Sequence, residues 1–131
     1  TAQAILSERI AAVLSKGLQG VNAADVLASP STYFINNYWT EADVNQYGHI
    51  KGAYRLNETL TLANDGMKKL DPSATILVYC WTGQTSALVS TYLNIIGYNA
   101  KSLKFGANAL INSQLLKNKW TVSGSFPYVT N

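Results

Sequence analysis

The run Thr75-Ile76-Leu77-Val78-Tyr79-Cys80 constrains this chain more than any other segment. It is apolar almost without interruption and rich in residues that favour extended backbone. Asp71-Pro72-Ser73 breaks the chain before it. An unbroken apolar strand, rather than an alternating one, suits the centre of a parallel sheet, where both faces are covered. A short segment containing Gly83 follows, and from Thr85 the residues Leu88, Val89, Tyr92, Leu93 and Ile96 recur at helical spacing, with Gly97 as the C′ residue. A buried strand feeding a helix is the first half of a parallel crossover, which predicts an α/β fold.

The other segments agree with that class. Gln3–Lys16 carries Leu6, Ile10, Val13 and Leu14 at helical spacing and predicts an amphipathic helix closed by Gly17. A short helix is predicted from Asn22 to before Ser29-Pro30-Ser31. Tyr33-Phe34-Ile35 has strand composition, and Thr40 caps a brief helix from Glu41 to Tyr47 that Gly48 ends. Ala53–Leu56 and Ala100–Leu103 read as strands. Residues 57–70 are polar, with a turn at Asn64-Asp65-Gly66 and one helical turn around Met67–Leu70. The loop Lys104-Phe105-Gly106 leads into a helix predicted to run through Leu116, and Trp120, Phe126 and Tyr128 are expected to pack back on the domain. At 131 residues the chain fits one domain, read as a helix over residues 1–20 packing on a unit spanning 21–131.

Composition removes several function classes. Charged residues make up 13% of the chain, against roughly 25% in an average soluble domain. The net charge of +3 comes from scattered lysines and arginines, so no basic stripe marks a nucleic-acid partner. One cysteine and one histidine leave no Cys cluster and no His pair for a metal, and no disulfide within the chain. No apolar run is long enough to span a bilayer. The chain starts at Thr1, which fits a removed presequence or a trimmed chain.

The chemistry centres on Cys80. Ligands in parallel α/β sheets bind at the carboxyl ends of the strands, and Cys80 stands at that end of the most buried one. The loop after it holds no proline, so every N–H there can turn inward. The free N–H groups and dipole of the following helix add positive potential. Such a setting favours a thiolate, or an anion carried on the sulfur. The plain alternative is a small buried hydrophobe, the common state of a free cysteine. His49, in a Gly-flanked turn, is expected to hydrogen-bond backbone rather than act as a base. Lys104, at another strand's carboxyl end, is a candidate for the pocket or else a solvated lysine, and Arg55 is expected to be structural or exposed.

Three motifs in order then resemble the rhodanese-like domains. Ile76 through Ser86, with Cys80-Trp81-Thr82-Gly83-Gln84-Thr85-Ser86 at its end, is similar to the family's active-site strand and loop. Gly48-His49-Ile50-Lys51-Gly52-Ala53 is similar to its Gly-His-Ile-x-Gly-Ala motif. Gly97-Tyr98 and Leu103-Lys104-Phe105-Gly106 are similar to its helix end and glycine loop. The resemblance covers about Ile35 to Leu110, with Val21–Ser31 in the place of a leading strand and helix, and the loop looks most like exported bacterial members. It implies a five-stranded parallel sheet flanked by helices and a sulfurtransferase without metal or organic cofactor. Cys80 would take sulfane sulfur from thiosulfate, polysulfide or a persulfide and pass it to a thiol, cyanide or a protein acceptor. Trp81, Thr82, Gly83, Gln84 and Thr85 would form the cradle, with the Thr85 or Ser86 hydroxyl donating to sulfur and the Trp81 ring covering a sulfur chain.

The sequence departs from the family in two places. Asn36-Asn37-Tyr38 stands where the family often has Asp-Val-Arg, replacing both charges together, and the active loop has no Arg or Lys. A phosphatase of this fold would need Cys-x5-Arg to clamp an oxyanion, and the sixth residue after Cys80 is Ser86. A sulfur carrier or interaction module that holds sulfur on Cys80 without turnover is the other reading.

Overall fold

The computed structural model describes residues 1–56, 65–121, 127, 129 and 130. Its organising element is β4 (Thr75–Tyr79), in which Ile76, Leu77, Val78 and Tyr79 have no solvent exposure. That burial is possible because β4 is paired on both sides: with β2 (Tyr33–Asn37) from Tyr33↔Thr75 to Asn37↔Tyr79, and with β5 (Asn99–Leu103) from Thr75↔Asn99 to Val78↔Ser102. β1 (Gly20–Val21) and β3 (Tyr54–Arg55) close the edges. The sheet is parallel throughout, in the order β1-β5-β4-β2-β3.

Alternation along β4 divides the core into two layers. Leu77 and Tyr79 face a cluster with Val26, Ile35, Trp39, Ile50 and Leu103, covered by the helices α2 (Ala23–Ala28), α3 (Glu41–Tyr47) and α5 (Ala107–Ile111). Ile76 and Val78 face Met67, Leu70, Leu93 and Ala100, beneath α4 (Gln84–Ile96). α1 (Ala2–Lys16) lies against α4, where the Arg9 guanidinium donates to the Ile96 carbonyl at 2.9 Å.

The local signals act as read. Thr40 accepts the Asp43 N–H at 3.2 Å to start α3, and Gly97 ends α4 in the left-handed region at φ 112°. The differences have physical causes. β2 runs on through Asn36 and Asn37, because Asn36 Oδ1 accepts the Leu56 N–H and Asn37 reaches the Tyr79 hydroxyl, so two polar residues are buried in a strand. The strand expected over Ala53–Leu56 pairs only at Tyr54 and Arg55. The helix expected through Leu116 stops at Ile111 and tightens into a 3₁₀ turn, Asn112–Gln114. There the Asn108 and Asn112 side chains bond each other and the returning backbone at Asn118 and Trp120. A 3₁₀ helix covers Asp65–Lys69. The readings for 57–64, and for Phe126 and Tyr128, lie outside the described residues.

Candidate active site around Cys80

β4 delivers Cys80 to the carboxyl edge of the sheet, one residue beyond its last paired position. The side chain points to the α4 layer and is 3% exposed. Gly83, at φ 91°, turns the chain so that its N–H lies 3.2 Å from Sγ. The Ser86 N–H, in the first turn of α4, lies 3.4 Å from the same atom. The thiol donates to Ser86 Oγ at 3.6 Å, and Ser86 Oγ donates to the Gly83 carbonyl at 3.1 Å. Ser102 Oγ, buried on β5, is 2.8 Å from Ser86 Oγ. The sulfur therefore rests among two backbone donors and a hydroxyl pair at a helix N-terminus.

Glycine at 106 allows the neighbouring turn to approach. A Cβ there would clash with the Cys80 carbonyl oxygen and crowd the carbonyl carbons of Cys80 and Trp81. That approach lets the Ala107 N–H donate to the Cys80 carbonyl at 2.9 Å, while the Asn108 side chain donates to the Trp81 carbonyl at 2.8 Å. The start of the loop is thus tied to α5.

Of the loop residues, Gly83 and Ser86 meet the sulfur directly. Thr85 is exposed, and its hydroxyl makes no hydrogen bond to Cys80. Thr82 and Gln84 bond each other at 3.3 Å on the rim. The expectation that the Trp81 ring covers a sulfur chain is corrected. Its side chain turns to the opposite layer and stacks on Trp39 at 4.4 Å and 16°, with Tyr47 edge-on. The Lys117 ammonium sits 5.1 Å from the Trp81 ring centre and pairs with Asp43. Burial pushes the Asp43 carboxyl up, but hydrogen bonds from Lys117 and Thr40 outweigh it and hold the group below the usual carboxylate range.

The remaining candidates lie apart from the sulfur. His49 is exposed, with Nδ1 2.9 Å from the Ile50 carbonyl oxygen. Arg55 is half-buried on the edge strand β3. Lys104 is exposed and lines a groove together with Thr82, Gly83 and Gln84. Three participants escaped the sequence reading. Ser102 was detectable only from β5 register, which puts it and Ala100 on the α4 face. Trp39 and Asn108 carry no local signal, since their partners are distant in sequence. Among the described residues no group of His, Cys, Asp or Glu is arranged to hold a metal ion, and no helix is long and apolar enough to cross a membrane.

Comparison with known proteins places this geometry. A rhodanese-related protein from Thermoplasma volcanium superposes with a TM-score of 0.60 at 21% identity, covering 72% of this chain and 92% of its own. A rhodanese homolog from Thermus thermophilus gives 0.51 at 22%, covering 70% and 100%. A Rhodopseudomonas palustris protein of unknown function, described as a possible tyrosine phosphatase, gives 0.57 at 16%, covering 86% and 90%. These likenesses show the fold. No curated protein matches the chain. The model of the rhodanese-like domain matches residues 11–113, from the middle of α1 to beyond α5. By that match the chain belongs to the rhodanese-like domain family.

Proposed function

We propose that this protein is a sulfurtransferase that carries sulfane sulfur on Cys80. The observation that supports it best is the convergence of the Gly83 and Ser86 N–H groups on Sγ, at 3.2 and 3.4 Å. Preorganised donors of this kind favour negative charge on the atom they face. In the first half-reaction the Cys80 thiolate attacks the outer sulfur of a donor. An Sγ–S bond forms, the donor's own S–S bond breaks, and its electron pair leaves on a thiolate if the donor is an organic persulfide, on a polysulfide one sulfur shorter if it is polysulfide, or on sulfite if it is thiosulfate. In the second, an acceptor thiolate or cyanide attacks that outer sulfur, and Sγ leaves with the electron pair, restoring the thiolate.

The hydroxyl pair suits both states. With the thiol, Ser86 accepts from sulfur and donates to the Gly83 carbonyl. With a thiolate or persulfide, its O–H turns to sulfur while Ser102 donates to Ser86 Oγ. No metal or organic cofactor enters this scheme. The possible-phosphatase description of one neighbour does not transfer, because this loop has Ser86 where an oxyanion clamp needs Arg.

The test treats the protein with inorganic polysulfide and follows intact mass and donor consumption. A gain of one sulfur atom, absent in Cys80→Ser, together with turnover when a thiol is added, is the expected result. A gain without turnover supports the carrier reading. No gain on Cys80 rejects both.

A further inference from the structure

Trp39 is 3% exposed, and its indole N–H has no acceptor among the described residues. A buried donor without an acceptor costs free energy that a phenyl ring in its place would not. The ring contacts do not need that donor. Trp39 stacks on Trp81 at 4.4 Å and meets Tyr79 and Tyr47 edge-on at 5.5 and 6.2 Å, which are contacts of ring faces and edges.

Trp39 also lines a cavity of about 160 Å³ on the α2, α3 and α5 side of the sheet. Leu27, Ile50, Leu110 and Ile111 supply its apolar walls. The two tyrosine hydroxyls of the lining are engaged elsewhere: Tyr47 accepts the Leu116 N–H, and Tyr79 meets Asn37 and the Ile50 N–H. No Asp, Glu, Lys or Arg lines the cavity, and His49, which does, is exposed with Nδ1 on the Ile50 carbonyl. Of the lining residues, Trp39 alone has a buried side-chain polar atom without a partner. The sulfur is elsewhere. Tyr79 faces this cavity, whereas the Cys80 side chain turns to the opposite layer and meets Ser86.

We propose that this cavity binds an uncharged molecule of single-ring size that carries one hydrogen-bond acceptor, with the acceptor on the Trp39 indole N–H. Volume, charge and the free donor select that class together. An apolar cavity of about 150 Å³ holds benzene, whereas drug-sized ligands take about 300–1,000 Å³. An ion would be desolvated here without a counter-charge. A water needs about two to four polar partners, and the lining offers one free buried side-chain donor. The inference does not use the sulfurtransferase reading of Cys80, so Cys80→Ser is expected to bind the same ligand as the wild type does.

Three probes of one shape test it. Acetophenone has a neutral carbonyl acceptor, α-methylstyrene has a methylene in place of that oxygen, and benzoate has a charged carboxylate. Each is titrated against the full chain by amide and indole N–H chemical shifts. The Trp39 indole signal is the one retained in both Trp81→Phe and Trp120→Phe, since the chain has three tryptophans. Acetophenone is expected to give saturable shifts at Ile50, Leu110 and Ile111, and to move the Trp39 indole signal downfield as the N–H gains an acceptor. α-Methylstyrene is expected to shift the same amides without that downfield move, and benzoate to give no saturable shifts. In Trp39→Phe, acetophenone is expected to lose about tenfold in affinity relative to α-methylstyrene, the worth of one neutral hydrogen bond.

The absence of saturable acetophenone shifts at these residues overturns the inference. So does an indole signal that acetophenone and α-methylstyrene move alike, which would show that the N–H does not meet the occupant. That signal is read in chains that keep Trp39, so it decides even if Trp39→Phe does not fold. Benzoate bound as tightly as acetophenone would overturn the uncharged class, and loss of acetophenone binding in Cys80→Ser would overturn the separation of the two sites. Acetophenone binding by a chain that takes no sulfur on Cys80 retains the cavity and rejects only the sulfurtransferase reading.

Discussion

At the scale of single residues, the site depends on Gly83, Gly106 and one sulfur, and Gly48 serves as a comparison outside it. Gly106 and Gly48 both have positive φ, 53° and 78°, so alanine at either carries a backbone penalty of about 1–3 kcal/mol. Only at Gly106 does the added methyl also meet the Cys80 carbonyl; at Gly48 nothing lies within 4 Å. Gly106→Ala is therefore expected to lose more stability in denaturant than Gly48→Ala, and to slow alkylation of Cys80, whereas Gly48→Ala leaves alkylation near wild type. Equal effects on alkylation would mean that the turn at 106 does not set the position of the loop. Cys80→Ser, nearly isosteric, is expected to keep the fold and abolish sulfur loading, because a hydroxyl is far less nucleophilic than a thiolate. Donor choice belongs to this scale as well. With no Arg or Lys in the loop and Lys104 exposed to the side, thiosulfate lacks a charge-assisted partner worth about 1.5–3 kcal/mol. A low-molecular-weight organic persulfide, with at most one charge on its reacting sulfurs, is expected to exceed thiosulfate by about tenfold in kcat/KM, and equal rates on the two donors would show that loop amides alone bind the dianion.

At the scale of elements, Tyr79 ties β4 to β2 and to the turn before β3. Its hydroxyl lies 2.6 Å from the Asn37 amide nitrogen and 3.3 Å from the Ile50 N–H. Burial is the larger influence on its ionisation, partly offset by these two contacts, and the group is pushed up to about 12. A phenol raised above its unfolded value contributes stability that is full below about pH 10 and is lost as pH climbs toward 12, because the unfolded chain ionises first. Tyr79→Phe should flatten that alkaline loss while costing about 1–3 kcal/mol at neutral pH, through the N–H groups left without an acceptor. Urea unfolding of both proteins at pH 7 and across pH 10–12 checks it; parallel curves would show that Tyr79 does not ionise differently on unfolding. The same strand shows what sequence could and could not convey. The apolar run gave β4 its central place, and Thr40, Gly48 and Gly97 gave α3 and α4 their ends, since each is a local signal. The direction of the Trp81 ring was not legible. It depends on whether the chain leaves β4 in step with the strand's alternation, and its partner Trp39 is supplied by a different strand end. Ser102 and the Asn36 and Asn37 side chains likewise acquire roles only once β2, β4 and β5 are in register.

At the scale of the whole molecule, the motif-bearing span and the groove that Lys104 lines differ in how they are encoded. The parallel sheet and the Cys80 loop follow from segments contiguous in sequence. The groove requires Leu18 before β1, Phe105 after β5, and Trp120, which returns because Asn108 Oδ1 accepts its N–H at 2.7 Å. α1 stands outside both. None of its residues is fully buried, and it touches the domain mainly along α4, where Arg9 occupies the carbonyl end of the helix and packs against Gly97. A guanidinium at a helix C-terminus stabilises by about 0.3–1 kcal/mol when exposed. Arg9→Ala should therefore lower Tm by only a few degrees, at most about 4–8 °C. Deleting residues 1–16 should lower it further, because the covered face of α4 is exposed to water. It should leave sulfur loading of Cys80 intact, because every group around Sγ comes from β4, β5, α4 and the loop between β4 and α4. Circular dichroism melts paired with intact-mass loading decide the matter. A truncated chain that is folded but cannot be loaded would show that α1 acts on the site through α4, and that the domain extends across all of the helix rather than beginning after it.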